Sequence, residues 1–139
     1  VARAEDFRGR VGGSLAIISK RHPEPDQTGM LEMVGDVSGK AAIVVDDMIS
    51  TGETVAQAAV LLRDRGASSI HVAATHGIFA GDAMRLLAES PVTDVVVSDT
   101  LPLAGDIDRE RVKTITVAPL LAEAIMRIHK DLSISALFT

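Results

Sequence analysis

The chain has no cysteine, tryptophan or tyrosine, and only 3 phenylalanines among its 139 residues. Without cysteine there are no disulfides and no thiolate metal sites. With so few aromatic rings the core must be aliphatic, which favours a Val/Ile/Leu-rich parallel sheet covered by helices. No apolar run approaches the ~18 residues that span a bilayer, and no signal-peptide pattern opens the chain. A cytoplasmic location is expected. A basic run is missing too: the formal charge is −5, from 19 acidic and 14 basic residues. Binding to nucleic acid needs a basic patch that neutralises phosphates, so neither nucleic acid nor membrane is an expected partner.

What is present suits one α/β domain over residues 1–139. Hydrophobic residues make up 47% of the chain, enough to build a core and too many for disorder. The opening, Val1-Ala-Arg-Ala-Glu-Asp-Phe7, lacks a Met start and reads as the middle of a helix, so the chain is expected to come from something longer. Apolar positions at Ala4, Phe7 and Val11 predict a helix over Ala2–Val11, stopped by Gly12-Gly13. Strands are expected at Leu15–Ser19, Met30–Val34, Ala41–Val45, Ile70–Ala74, Val92–Val97 and Val112–Val117. Residues Lys20 to Thr28 are polar, contain Pro23 and Pro25, and read as a mobile loop.

Three more helices are expected: Thr54 to Arg65 with Gly66 at its C-terminal end, Ala83–Ala88 capped by Asp82, and Leu120–His129 started by Pro119. Alternating strands and helices imply a parallel sheet.

The most informative stretch is Ala41-Ala-Ile-Val-Val-Asp46-Asp47-Met-Ile-Ser50-Thr51-Gly52-Glu53-Thr54. An apolar strand ends in two carboxylates, and a hydroxyl-rich loop then leads into a helix. Ligands of open α/β sheets bind beyond the carboxyl ends of the strands. A helix N-terminus offers unpaired N–H groups and a positive dipole end, which together hold a phosphate. Like charges keep Asp46 and Asp47 from that phosphate, but both suit sugar hydroxyls or a magnesium ion beside it. The loop reads as a site for a phosphorylated sugar.

This segment resembles the phosphoribosyltransferase superfamily. Four further segments narrow the resemblance: Leu15-Ala-Ile-Ile-Ser-Lys-Arg21, Ala74-Thr-His-Gly-Ile-Phe-Ala-Gly81, Val117-Ala-Pro-Leu-Leu-Ala-Glu-Ala-Ile125 and Ser133-Ile-Ser-Ala-Leu-Phe138. With Val34-Gly-Asp-Val-Ser-Gly-Lys40, they follow the order found in ribose-phosphate pyrophosphokinases. The resemblance implies a three-layer, phosphoribosyltransferase-type α/β domain, the C-terminal half of a two-domain synthetase. It implies transfer of diphosphate from ATP to the C1 hydroxyl of ribose 5-phosphate, with Mg2+, in a homo-oligomer (hexamer or dimer). ATP would be held mainly by an N-terminal domain that this chain lacks. The Pro-Asp-x-Gly segment expected before Val1 is absent as well.

The same resemblance assigns roles. Lys20 would be catalytic, opening a loop over the reacting phosphates. His22, Asp46, Asp47, Ser50, Thr51, Gly52, Glu53 and Thr54 would bind ribose 5-phosphate, and Asp46 and Asp47 are also possible metal ligands. Ser133 and Ser135 match serines that bind a regulatory phosphate in some members, while a docked C-terminal segment explains them equally well. Departures stand at His22, where the family has Arg, at Ser50, often Asp, and at Glu53, often a small residue. Those at His22 and Ser50 keep a non-catalytic regulatory subunit open as an alternative, with a transferase that consumes PRPP as a weaker one. His76 could face the site or simply pack at a strand end. His71 and His129 receive no role.

Overall fold

The computed structural model describes residues 2–21, 30–103, 105 and 107–138, with the backbone alone described for Ala2, Lys20, Arg21 and Met30. Its first helix, α1, runs Ala2–Val11. Two strands, β1 at Ile17–Arg21 and β2 at Met30–Val34, pair antiparallel as a separate hairpin. The main sheet holds β3 (Ala41–Ile49), β4 (Ser69–Gly77), β5 (Asp94–Ser98) and β6 (Val112–Ile115) in that order, all parallel. Between them lie α2 (Glu53–Asp64) and α3 (Ala83–Glu89), and α4 (Ala118–His129) follows β6. Among the described residues no helix is long and apolar enough to cross a membrane.

The expected α/β class and parallel sheet are present, with two departures. The first hairpin is antiparallel and stands apart from the sheet. Lys20 and Arg21, expected to open a loop, instead continue β1 opposite Leu31 and Met30, because the ladder does not stop at the last apolar residue. The rest of that expected loop, residues 22–28 with His22, lies outside the described residues.

Parallel pairing places Val44, Val72 and Val95 side by side in register, and the same face carries Ile70, Ala74, Val97 and Val112. Side chains alternate across a strand, so this one face is buried nearly throughout while its neighbours are not. The helix α2 covers it with Val55, Ala58, Ala59 and Leu62, and α3 adds Ala83 and Leu87. The opposite face is thinly covered: α1 meets β3 there, while Ile43 and Ile115 remain exposed. Asp99, just past β5, accepts a bond from the Val117 N–H at 2.9 Å and so fixes the start of α4 to the sheet.

Leu87 is 0% exposed and joins α3 to the core cluster. Leu87→Ala should cost about 3 kcal/mol, within the range found for buried leucines. Urea titration should show a lower midpoint at an unchanged slope. A midpoint within error of the parent would mean that α3 is not part of the cooperative core.

Candidate functional site

The strand β3 is four residues longer than its apolar run predicts. It carries both aspartates inside the ladder, with Asp46 opposite Ala74 and Met48 opposite His76. Neighbouring residues of a strand point to opposite faces. Asp46 therefore shares the face of Val44, while Asp47 faces the side where α1 lies. Oδ1 of Asp46 accepts the N–H of Asp47 at 2.8 Å, and Oδ1 of Asp47 accepts the N–H of Met48 at 3.0 Å.

Arg3 of α1 donates to Oδ2 of Asp47 at 3.3 Å. Sequence reasoning missed this residue, since nothing local links positions 44 apart. The Asp47 carboxyl is held below its ordinary value of 3.8, first by hydrogen bonding with the Asp46 carboxyl and then by the charge of Arg3. Two adjacent acids would otherwise raise one another.

After β3 the chain turns through Ser50, Thr51 and Gly52 into α2. Gly52 has φ 74, and no side chain caps the helix. The first bond closing the helix runs from the Ala56 N–H to the Gly52 carbonyl at 2.9 Å. Among the described residues, the N–H groups of Ser50, Thr51, Gly52, Glu53, Thr54 and Val55 donate to nothing. Together with Asp46, Asp47, Met48 and Ile49, residues of this turn line a cavity of about 230 Å3. That volume is below the ~300–1,000 Å3 typical of drug-sized ligand pockets, so it suits a small polar group.

The other half of the design lies in the segment after β4. The N–H groups of Ile78 and Phe79 both donate to the Ile49 carbonyl, at 3.0 and 3.1 Å, and the Ala80 N–H donates to the Ser50 carbonyl at 3.0 Å. The carbonyls of Ile49, Ser50 and Gly52 are thus occupied, while the amides from Ser50 to Val55 have no partner among the described residues. Phe79 reaches this arrangement with φ 49, a left-handed conformation that costs energy for a non-glycine residue. Its ring lies over Gly77: a Cβ there would meet Phe79 Cε2 at 2.5 Å and Val97 at 3.1 Å. The sequence does contain Gly77-Ile-Phe79, but its supporting role shows only in three dimensions.

The remaining expected residues are distributed unevenly. Ser50, Thr51, Gly52 and Thr54 line the cavity with Asp46 and Asp47, whereas Glu53 does not. Its carboxylate accepts a bond from Gln57 Nε2 at 3.3 Å, which draws it along the outside of α2. Lys20 sits in β1, and its side chain falls outside the described residues, as does all of His22.

Oγ of Ser133 accepts the Ser135 N–H at 3.2 Å, and both serines are exposed beyond α4. Phe138 is exposed rather than docked in the core. His76 bonds through Nδ1 with Oγ1 of Thr100 at 2.7 Å and does not line the cavity. His71, given no role from sequence, bridges Asp94 and Ser69 at 2.9 and 3.0 Å and so joins β5 to β4.

A larger groove of about 520 Å3 runs along α2 and α3, lined by Leu31, Val60, Leu61 and Leu86. Its two acids are already paired, Asp64 with Arg63 and Glu89 with Arg85. The smaller cavity, with the amides of Ser50 to Val55 on or beside its lining, is the candidate site.

Two measurements test this construction. Gly77→Ala should displace Phe79 and lower affinity for inorganic phosphate, read by calorimetry, at least tenfold, which corresponds to about 1.4 kcal/mol. Unchanged affinity would mean that the turn holds its shape without the Phe79 segment. In a carbon-13 titration of the carboxyls, Asp47 should titrate below 3.8 and move upward in Arg3→Gln. Because the folded value is depressed, the Arg3–Asp47 contribution is full above pH 3.8 and fades as pH falls through the lower folded value. No movement in Arg3→Gln would leave the carboxyl pair alone responsible.

With the geometry in hand, known proteins supply a comparison. The family model described as "Phosphoribosyl synthetase-associated domain" matches residues 7–139. The ribose-phosphate pyrophosphokinase of Caldanaerobacter subterraneus subsp. tengcongensis is 47% identical over 139 residues, covering 100% of this chain and 44% of that protein. The protein of the same name from Aquifex aeolicus is 42% identical over 139 residues, again 100% of this chain and 44% of the other. A crystal structure of phosphoribosylpyrophosphate synthetase from Mycobacterium smegmatis superposes with a TM-score of 0.84 at 39% identity, over 94% of this chain and 42% of that one. The chain therefore spans less than half the length of these relatives. It belongs to the phosphoribosyl synthetase-associated domain family.

Proposed function

We propose that this chain is the sugar-phosphate-binding half of a ribose-phosphate diphosphokinase. The observation that carries the reading is the row of amides from Ser50 to Val55, without partners among the described residues, beside the Asp46–Asp47 pair. The 5-phosphate of ribose would sit on the amides, where the helix dipole favours negative charge, with the hydroxyls of Ser50, Thr51 and Thr54 around it. Asp46 and Asp47 would accept hydrogen bonds from the ribose hydroxyls and fix the ring. The C1 hydroxyl oxygen would then form a bond to the β-phosphorus of ATP as the bond from that phosphorus to the α-phosphate oxygen breaks. The hydroxyl proton leaves to solvent, and AMP departs.

Catalysis in such a transfer is mostly positioning and charge stabilisation. Lys20 is proposed to supply the charge, its ammonium opposing the negative charge that builds on the departing AMP. His22 would add a neutral donor where an always-charged guanidinium is the family's choice. The domain holding ATP, and a homo-oligomeric assembly, belong to the longer protein proposed here.

Magnesium fits the carboxylate pair in a limited way. Among the described residues no cluster of three acidic or histidine ligands exists, so an all-protein cage is excluded there. Magnesium characteristically keeps several waters and takes one or two carboxylates plus substrate phosphates, a demand that Asp46 and Asp47 meet. When bound, the ion would neutralise phosphate charge.

The test is AMP release by the full-length protein. AMP should form from ATP only when ribose 5-phosphate is present, and Lys20→Ala should slow it by at least a hundredfold. Sugar-independent AMP, or none from a folded protein that still binds ribose 5-phosphate, would overturn the enzymatic reading. In the latter case a regulatory subunit would remain.

A further inference from the structure

A hydrogen-bond network at the ends of β4 and β5 holds His76 by one ring nitrogen. Nδ1 meets Oγ1 of Thr100 at 2.7 Å, and Nε2 has no partner among the described residues. Oγ1 of Thr100 lies 3.1 Å from the Thr75 carbonyl oxygen and 2.8 Å from Oγ of Ser98. The Ser98 hydroxyl donates to the same carbonyl at 2.6 Å and accepts the Thr100 N–H at 3.2 Å.

The protons available assign the tautomer. Apart from the backbone N–H, four close contacts join the imidazole, the two hydroxyls and the carbonyl. Each hydroxyl supplies a single proton. A bare Nδ1 leaves two protons for the four contacts, whereas an Nδ1–H gives three. The Thr75 carbonyl only accepts, so the protons run toward it, from Nδ1 to Thr100 and from both hydroxyls to Thr75. Nε2 then keeps its lone pair and can take a proton. His71 differs, since Asp94 and Ser69 engage both of its nitrogens.

The position suits the chemistry as well. His76 is the penultimate residue of β4 and pairs in register with Met48, which lines the small cavity. Neighbouring strands lie about 4.8 Å apart, so the imidazole begins one strand beyond the cavity wall. Ligands of open α/β sheets occupy this carboxyl edge. In the function proposed above, the amides take the 5-phosphate and the two carboxylates fix ring hydroxyls. A substrate gripped at its phosphate end by a cavity of about 230 Å3 extends past it, and the anomeric end is what projects.

We infer that His76 is the general base of the transfer and that Thr100 is its positioning residue, an inference that rests on the function proposed above. As the C1 hydroxyl oxygen bonds to the β-phosphorus of ATP, its proton passes to Nε2. The electron pair of the breaking P–O bond goes to the α-phosphate oxygen of the departing AMP. The imidazolium keeps its Nδ1–H bond to Thr100 and later releases a proton to solvent. Asp46 and Asp47 are less free to act as base: Oδ1 of each accepts a backbone N–H, and Asp47 also holds Arg3. A loose transition state leaves the attacking hydroxyl largely protonated. The gain therefore falls at the low end of the ~10²–10⁴-fold typical of general bases.

The test uses the full-length protein. His76→Gln should lower kcat for AMP release about a hundredfold. Its affinity for ribose 5-phosphate, read by calorimetry, should equal the parent's. In His76→Ala, added imidazole should restore turnover in proportion to the free base present. Thr100→Val should lose about tenfold, the worth of one hydrogen bond, and Thr100→Ser should recover it. Parental kcat in His76→Gln overturns this inference alone. So does a loss of sugar affinity as large as the loss of turnover, which would make His76 a binding residue. A parent that binds the sugar but releases no AMP overturns the reaction itself, and this inference with it.

Discussion

Everything at the candidate site depends on a turn whose Ile49, Ser50 and Gly52 carbonyls are tied down while its amides, among the described residues, are not. Backbone N–H groups are obligatory donors, and most buried ones find partners inside the protein. From Ser50 to Val55 they do not, among the described residues. A helix start of this kind concentrates partial positive charge at one point and holds it without a lysine or arginine. The turn does not collapse onto its own amides because Ile78, Phe79 and Ala80 anchor it from the carbonyl side. The strain at Phe79 and the missing side chain of Gly77 are the structural cost of that anchoring.

Charge balance around the turn follows the same economy. Two carboxylates stand at the mouth of a site suited to an anion, an arrangement that would repel the anion if both were bare. Arg3 and the hydrogen bonds within the pair spread the charge of Asp47, while Glu53 is turned along α2 toward Gln57. The acids are thereby separated from the amide row by a few residues of backbone. One small cavity is thus lined both by the turn and by the two carboxylates.

The sheet presents two unlike faces. The face under α2 and α3 is a closed aliphatic core centred on Val72, Val95, Val97 and Leu87. The other carries exposed Ile43 and Ile115, and α4 turns its apolar side outward. Parallel sheets are normally covered on both faces. In this chain one face of the sheet is closed by helices, and the other keeps Ile43 and Ile115 exposed.

Local chemistry determined much of this protein from its sequence. The aliphatic composition and the alternation of strands and helices specify a parallel α/β sheet. Asp46-Asp47 followed by Ser50-Thr51-Gly52 specifies a strand end, a turn and a helix start, because all three are set by neighbours in the chain. Strand ends were less legible. The strand β3 runs on through its aspartates, and β1 through Lys20 and Arg21, since ladder hydrogen bonds do not depend on apolar side chains. Only the tertiary structure decided that Arg3 meets Asp47, that His71 joins two strands, and that the Phe79 segment holds the turn open. It alone decided that α4 faces outward. Each of these depends on which segments lie side by side, and hydrophobic periodicity can say that a face is apolar without saying what will cover it.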